Sequence, residues 1–191
     1  MIKNVLIVLG SPRKKGNSAQ LARIITAILA DKGNRIHEYC LNNLNIKGCQ
    51  ACGACKGKSS CCIVDDDLVP VLEAVKCANV IILATPVYWG DISAQLKTFI
   101  DRTYSYLTPG FMTADRKHRL PKGKKLVFIQ TQGADKHLYG DVFERYNSFF
   151  KVLNFFDETY LLRGCELNEL GDVDKRDDLV RQARAIAEKL G

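Results

Sequence analysis

Residues 2–18 read IKNVLIVLGSPRKKGNS, an apolar run that passes directly into a polar, glycine-containing turn. The largely apolar run Ile2–Leu9 predicts a strand buried on both faces of a sheet. The segment from Asn17 to about Lys32 carries apolar residues at helical spacing, and Gly33 is a stop signal, so it predicts a helix. A buried strand, a short turn and an amphipathic helix together begin a βαβ unit.

The same alternation continues along the chain. Further strands are predicted at Arg35–Leu41, Asn79–Ala84, Lys125–Gln130 and Glu158–Leu162. Further helices are predicted at Asp66–Cys77, Ile92–Tyr106, His137–Leu153 and Asp174–Leu190. Five strands alternating with helices predict an α/β fold with a doubly wound parallel sheet in the order 2-1-3-4-5, which is the flavodoxin-like case. We therefore expect residues 1–191 to form one flavodoxin-like domain, with a cysteine-rich loop at 47–65.

Composition and charge narrow the class of protein. The net charge is +7, but the basic residues are spread along the chain without interleaved aromatics, so binding of nucleic acid is not expected. The basic run from Arg116 to Lys125 is interpreted as a solvated loop, with a patch for an anionic partner or for the 2′-phosphate of NADPH as the alternative. No apolar run approaches the ~20 residues that span a bilayer, and the apolar stretch near the N-terminus is too short for a signal peptide. A cytoplasmic protein without a membrane partner is expected.

The loop after the first strand, residues 10–18, has the character of a phosphate site. A helix N-terminus offers unpaired amides and a partial positive charge, while Ser11, Asn17 and Ser18 add donors and Arg13 adds charge. The loop lacks both the Gly-Lys-Ser/Thr of a P-loop and the Gly-x-Gly-x-x-Gly of a dinucleotide site. The alternative is an ordinary strand–helix turn with Asn17 or Ser18 as the N-cap.

The loop after the third strand, residues 85–91, places two aromatic side chains at the same edge of the sheet. Tyr88 and Trp89 stand between Pro86 and Gly90 and could form a wall for a flat ring, or could pack as core or interface aromatics. The fourth strand ends in another polar loop, Gln130–Asp135. In doubly wound sheets, ligands bind at this carboxyl edge.

The segments GSPRKKGNS (10–18), ATPVYWGDISAQLKTFIDR (84–102) and TQGAD (131–135) resemble the NAD(P)H-dependent FMN reductase family of flavodoxin-fold proteins. The resemblance covers roughly residues 1–135. It implies that the FMN phosphate is held by Ser11, Arg13, Asn17 and Ser18. It implies that the isoalloxazine ring is contacted by Pro86, Val87, Tyr88, Trp89 and Gly90, with Thr131, Gln132 and Gly133 near its other side. It further implies that NAD(P)H reduces the flavin, which then passes electrons to a quinone, a free flavin, a small oxidant or a cluster.

Five of the eight cysteines fall within the cysteine loop, residues 47–65. The spacing Cys49-x2-Cys52-x2-Cys55-x5-Cys61 is that of a compact ligand set, and Cys62 is a spare or an alternative to Cys61. Such closely spaced cysteines favour a 4Fe–4S cluster over zinc, which more often uses two separated pairs. The motif resembles the iron–sulfur flavoprotein subgroup of the same family. Free thiols beside a flavin pocket are the alternative.

Two functions other than a reductase are compatible with the sequence. The first is a non-enzymatic iron–sulfur flavoprotein electron carrier that is reduced by ferredoxin, and the second is a sensor that binds flavin without turnover. The expected partners are small-molecule redox substrates. A homodimer or homotetramer is also predicted, because Trp89, Tyr104, Tyr106 and Phe111 are many aromatics for the surface of one small domain and because proteins of the family are dimers or tetramers.

Overall fold

A computed structural model describes residues 2–191 of the chain. Its strands are β1 (Asn4–Leu9), β2 (Arg35–Cys40), β3 (Val80–Tyr88), β4 (Asp91–Ile92), β5 (Lys125–Thr131) and β6 (Glu158–Gly164). Its α-helices are α1 (Asn17–Asp31), α2 (Leu68–Cys77), α3 (Ala94–Arg102), α4 (Val142–Val152) and α5 (Asp177–Leu190). Short 3-10 turns lie at 41–43, 54–56, 103–106 and 172–175.

The strands pair in the order β2-β1-β3-β5-β6, and all of these pairs are parallel. This order confirms the predicted flavodoxin-like sheet of five parallel strands. The additional strand, β4, has two residues and pairs antiparallel with the end of β3. The chain reverses its winding direction between β1 and β3, which leaves a crevice at their carboxyl ends.

Apolar layers cover both faces of the sheet. Because successive side chains of a strand point to opposite faces, Leu6 and Val8 pack on one side of β1, whereas Val5, Ile7 and Leu9 pack on the other. The first layer is completed by α2, α3 and α4, and the second by α1 and α5. The end of β1 is thereby held between two helical layers. No helix within residues 2–191 is both long and apolar enough to span a bilayer.

Several helix boundaries differ from those predicted. The helix predicted from His137 begins at Val142, because Tyr139 adopts a left-handed conformation (φ +61°) that ends any helical path through it. The helix predicted over 92–106 is α3 followed by the 3-10 turn at 103–106, and the closing helix begins at Asp177 after the turn at 172–175. The prediction that Tyr106 is a surface aromatic is wrong: it is buried, and its hydroxyl donates to the Leu72 carbonyl at 2.9 Å.

Candidate functional site

The carboxyl ends of β1, β3 and β5 bring three polar loops together at one edge of the sheet. The first is the strand-one loop, residues 10–18. Its helix α1 has Gly16 at the N-cap, no side chain bonded to the first amides and no acidic residue in the first turn. The alternative in which Asn17 or Ser18 caps the helix is therefore not the arrangement present. The free amides and the helix dipole give this end of α1 the character of an anion site.

Two glycines of this loop are closely packed. A Cβ on Gly16 would lie 3.1 Å from the Arg13 carbonyl oxygen and 3.2 Å from the Ser11 Oγ. A Cβ on Gly10 would lie 2.7 Å from the Ser93 Oγ and 2.8 Å from the Leu96 Cβ. A side chain at position 10 would therefore force α3 to move, whereas one at position 16 would require its neighbours to shift by a few tenths of an ångström.

Ser93 joins the strand-one loop to the strand-three loop, residues 85–91. Its Oγ donates to the Gly10 carbonyl at 2.7 Å and accepts from the Leu96 amide at 3.3 Å as the N-cap of α3. Its own amide donates to the Thr85 Oγ1 at 3.0 Å. The buried Ser93 thus links both loops, through its hydroxyl to Gly10 and through its amide to Thr85.

A cavity of about 210 Å³ lies where the three loops meet. Ten of the twelve predicted flavin-site residues line it: Ser11, Arg13, Asn17, Ser18, Pro86, Val87, Tyr88, Thr131, Gln132 and Gly133. The other two, Trp89 and Gly90, lie outside the lining in the turn between β3 and β4. These ten residues come from three separate stretches of sequence and converge on one space.

Trp89 and Gly90 form a tight two-residue hairpin. Both have positive φ, 51° and 78°, as the favoured two-residue hairpin turn requires. Helix α4 holds the hairpin in place, because Arg145 donates to the Gly90 carbonyl at 2.8 Å and the Tyr146 hydroxyl donates to Asp91 at 2.8 Å. Burial and the bond to Asp91 raise the pKa of Tyr146, so its hydroxyl remains a donor. The Trp89 side chain is fully exposed.

Gln132 supports the site rather than offering its side chain to a ligand. Its Nε2 donates to the carbonyls of Asp135 at 2.8 Å and Leu138 at 2.9 Å. Its Oε1 accepts from Gln130 at 3.0 Å and from Arg163 at 3.3 Å. These bonds hold residues 133–139 against the end of β5, and Thr131 and Gly133 line the cavity beside Gln132.

The loop after β6 also lines the cavity, although it was not predicted to do so. Its contributions are Leu167, Asn168 and Leu170, and Gly16 completes the lining from the strand-one loop. The Asn17 Nδ2 donates to the Glu169 carbonyl at 2.9 Å, whereas the buried Asn17 Oδ1 has no hydrogen-bond partner within residues 2–191. The rule that ligands bind at the carboxyl edge, applied also to the last strand, would have identified this loop.

These residues fit a flavin mononucleotide. The uncapped N-terminus of α1 and the guanidinium of Arg13 suit a phosphate, and the unpartnered Asn17 Oδ1 can accept from a ligand hydroxyl. Pro86, Val87 and Tyr88 form one wall of the cavity and the β5 loop forms another, which suits a flat ring.

The cysteine loop forms a second cavity, of about 370 Å³. Its lining includes Cys49, Cys52, Cys55, Cys62 and Arg102, and it shares no lining residue with the flavin-site cavity. Of the four predicted ligands, Cys61 lies outside this lining and is exposed, with its Sγ 3.2 Å from the Ser59 Oγ. Within residues 2–191, no three Cys, His, Asp or Glu side chains are grouped as ligands of a single metal ion.

Cationic groups surround these thiols. The Lys56 Nζ lies 3.3 Å from the Cys55 Sγ and 4.0 Å from the centre of the Tyr104 ring. The Arg102 Nε donates to the Cys62 Sγ at 3.1 Å, and Arg119 donates to the Cys55 carbonyl at 3.3 Å. A cavity with several thiols and this positive surrounding fits a multi-atom anionic group such as a thiolate-ligated iron–sulfur cluster.

The basic run from Arg116 to Lys125 is largely engaged with the backbone. Arg116 donates to the His118 carbonyl at 2.9 Å, Lys117 to the Val152 carbonyl at 2.8 Å and Arg119 to the Leu107 carbonyl at 2.6 Å. The buried Lys124 donates to the carbonyls at the end of α2. These hydrogen bonds to backbone carbonyls stabilise the conformation of residues 116–125.

Comparison with protein families and curated proteins gives consistent matches. The model of the family described as NADPH-dependent FMN reductase matches residues 3–156. An iron-sulfur flavoprotein of Archaeoglobus fulgidus is 35% identical over 99 residues, which cover 52% of this chain and 44% of that protein. An iron-sulfur flavoprotein of Methanosarcina thermophila is 35% identical over 94 residues, which cover 49% of each. The matched part is thus about half the length of these curated relatives.

Solved structures share the fold over the full chain. The NAD(P)H:quinone oxidoreductase from Methanothermobacter marburgensis superposes with a TM-score of 0.72 at 17% identity, covering 100% of this chain and 98% of that one. An FMN-dependent NADH-azoreductase from Bacillus anthracis, solved in complex with FMN, gives a TM-score of 0.68 at 12% identity, covering 98% and 99%. At these identities the likeness establishes the architecture.

Proposed function

The chain belongs to the NADPH-dependent FMN reductase family, and we propose that it is an FMN-dependent oxidoreductase that uses NAD(P)H to reduce a small acceptor such as a quinone or a free flavin. The observation that carries this proposal is the convergence of ten predicted residues on one cavity at the carboxyl edge of β1, β3 and β5. The structural neighbours described as quinone oxidoreductase and azoreductase support the choice of acceptor class.

The proposed roles of the residues are based on their positions around the cavity. The amides at the start of α1 and the Arg13 guanidinium bind the phosphate, and Pro86, Val87 and Tyr88 hold one side of the ring. Gln132 and Ser93 keep the surrounding loops in register and so orient the ring. Bound at this site, FMN would supply the hydride and electron-transfer chemistry, which the protein's own side chains lack. No side chain of the site is assigned as a general acid or base.

The test is a steady-state assay of purified protein reconstituted with FMN. NADPH and NADH are compared as donors, with a benzoquinone and free FMN as acceptors. We expect stoichiometric FMN and oxidation of at least one nicotinamide that depends on the acceptor. Tight FMN binding without nicotinamide oxidation would exclude the reductase and leave a carrier or a sensor.

We further propose that the cysteine loop holds a 4Fe–4S cluster, which would exchange single electrons with the flavin or with a partner protein. The support is the cavity that four cysteines line, its cationic surrounding, and the curated relatives described as iron-sulfur flavoproteins. A chain with both groups could also act as a non-enzymatic electron carrier reduced by ferredoxin.

Anaerobic reduction kinetics separate the two functions. Protein prepared without oxygen is mixed with NADPH, NADH or reduced ferredoxin, and flavin and cluster absorbance are followed in a stopped-flow instrument. Reduction by a nicotinamide at a rate that supports turnover indicates the reductase. Rapid reduction by ferredoxin alone indicates the carrier, and iron-free wild-type protein would exclude the cluster while leaving the flavin assignment intact.

A further inference from the structure

The cysteine loop carries two adjacent cysteines at its end, and they occupy different environments. Cys62 is half-buried and lines the same cavity as Cys49, Cys52 and Cys55. Cys61 is exposed and absent from that lining, and both its amide and its sulfur lie near the Ser59 hydroxyl, at 3.1 Å and 3.2 Å. The sequence spacing does not distinguish the two cysteines, but their structural environments differ.

The position of Cys62 is fixed by Arg102, whose side chain is fully buried. Each of its guanidinium nitrogens is bonded: Nε to the Cys62 Sγ at 3.1 Å, one terminal nitrogen to the Lys47 carbonyl at 2.8 Å, and the other to the Val64 carbonyl at 3.0 Å. Both terminal nitrogens also donate to the Asp66 carboxylate, at 2.8 and 3.2 Å. The guanidinium therefore binds the chain on both sides of the cysteine loop and holds one sulfur at its centre.

The chemistry of this contact selects the sulfur of Cys62 as an acceptor. Guanidinium has donors and no acceptor, so the Cys62 sulfur must accept. Hydrogen bonds to the sulfurs of a cluster are a recognised means of tuning it, and Arg102 places such a donor 3.1 Å from the Cys62 Sγ. Cys61 has no corresponding cationic contact in the described part of the chain.

We propose that Cys62, and not Cys61, completes the thiolate set with Cys49, Cys52 and Cys55. The assignment rests on the cluster proposed above. Cys61 remains a free, solvent-facing thiol beside the cluster.

The test compares matched variants of neighbouring residues, Cys61→Ala and Cys62→Ala, in the full chain purified without oxygen. Iron and acid-labile sulfide are measured relative to FMN, whose retention reports that the domain is folded. We expect Cys61→Ala to keep the wild-type iron and sulfide content and Cys62→Ala to lose at least half of both. Loss in Cys61→Ala, or retention in Cys62→Ala, overturns the assignment.

Alkylation of the wild-type protein provides a second measurement that needs no variant to fold. Anaerobic protein is treated with N-ethylmaleimide and each cysteine is examined by mass spectrometry, before and after removal of iron with a chelator. We expect Cys61 to be labelled at once and Cys62 only after removal of iron, and the opposite order overturns the assignment. Iron-free wild-type protein overturns both this assignment and the proposed cluster, whereas a cluster with the opposite cysteine preference overturns this assignment alone.

Discussion

At the scale of single residues, Arg102 is a buried charge that lies between the cysteine loop and the core. Its carboxylate partner, Asp66, also accepts from the Lys47 amide at 2.8 Å and the Leu68 amide at 3.1 Å. Burial alone would raise the pKa of Asp66, but the hydrogen bonds from Arg102 and these amides outweigh it and lower the pKa below its usual value. The folded state therefore favours the ionised carboxylate.

Asp66→Ala should destabilise the protein by about 3–5 kcal/mol at pH 7, because it leaves the buried guanidinium without its counter-charge. Since the pKa of Asp66 is lowered on folding, its stabilising effect is complete above its unfolded pKa of about 3.9 and is lost as the pH falls through the folded value. Urea unfolding at pH 7 and near pH 3 should thus show a difference between wild type and variant that shrinks in acid. Exposed Asp65→Ala is the control, and a difference that grows in acid would contradict this account.

Arg13 should contribute to FMN affinity through its charge. Arg13→Glu removes a charge-assisted hydrogen bond worth about 1.5–3 kcal/mol and adds repulsion, so the Kd for FMN should rise by about tenfold or more. Titration of the apoprotein with FMN, followed by fluorescence, measures this Kd. Arg184→Glu makes the same change in net charge on the exposed side of α5 and should leave the Kd unchanged. An equal effect of both variants would assign the loss to net charge and not to a phosphate contact.

At the scale of elements, the site depends on the junction between β1 and α3. Gly10, which directly follows β1, packs against α3 because it has no side chain. The Ser93 hydroxyl forms hydrogen bonds to Gly10 and to Leu96 of α3. Because α3 is packed in the core, this junction fixes the position of the strand-one loop relative to the core.

Ser93→Ala should cost about 1–3 kcal/mol, because it removes a helix cap and leaves the buried Gly10 carbonyl without that partner. FMN affinity should fall as well, since the strand-one loop loses one of its attachments. Urea unfolding and FMN titration measure the two effects. Thr98→Ala, on the same helix, is the control, and normal stability of Ser93→Ala would show that the junction does not depend on this hydroxyl.

At the scale of the whole molecule, the topology and the edge that carries the site follow from sequence, because apolar runs, helical spacing and the winding rule are properties of the chain itself. The features that the sequence did not predict depend on contacts between residues that are far apart in the chain. The start of α4 is set by Tyr139 and by the bonds of Gln132, and the contribution of Asn168 depends on how the loop after β6 folds back onto α1. The different environments of Cys61 and Cys62 depend on Arg102, which is 40 residues away from Cys62 in the chain.

The predicted homodimer or homotetramer also belongs to this scale. Trp89 at the tip of the hairpin and Phe149 on α4 are exposed apolar side chains, and Tyr104 is partly exposed. Light scattering at micromolar concentration should give a mass of two or four chains. Trp89→Asp should shift that mass toward a single chain, because a carboxylate would then be buried between copies. A single-chain mass for the wild type would contradict the prediction.

Trp89 is the one tryptophan in the sequence, and it stands fully exposed on a hairpin that α4 holds in place. The tryptophan emission of this protein therefore comes from a single indole whose surroundings are mostly water. Any event that covers the hairpin should move that emission to shorter wavelength, and an oxidised flavin brought near it should quench it. Trp89 is thus an intrinsic fluorescent probe. Dissociation of an oligomer on dilution, or flavin binding, can be followed without attaching a dye.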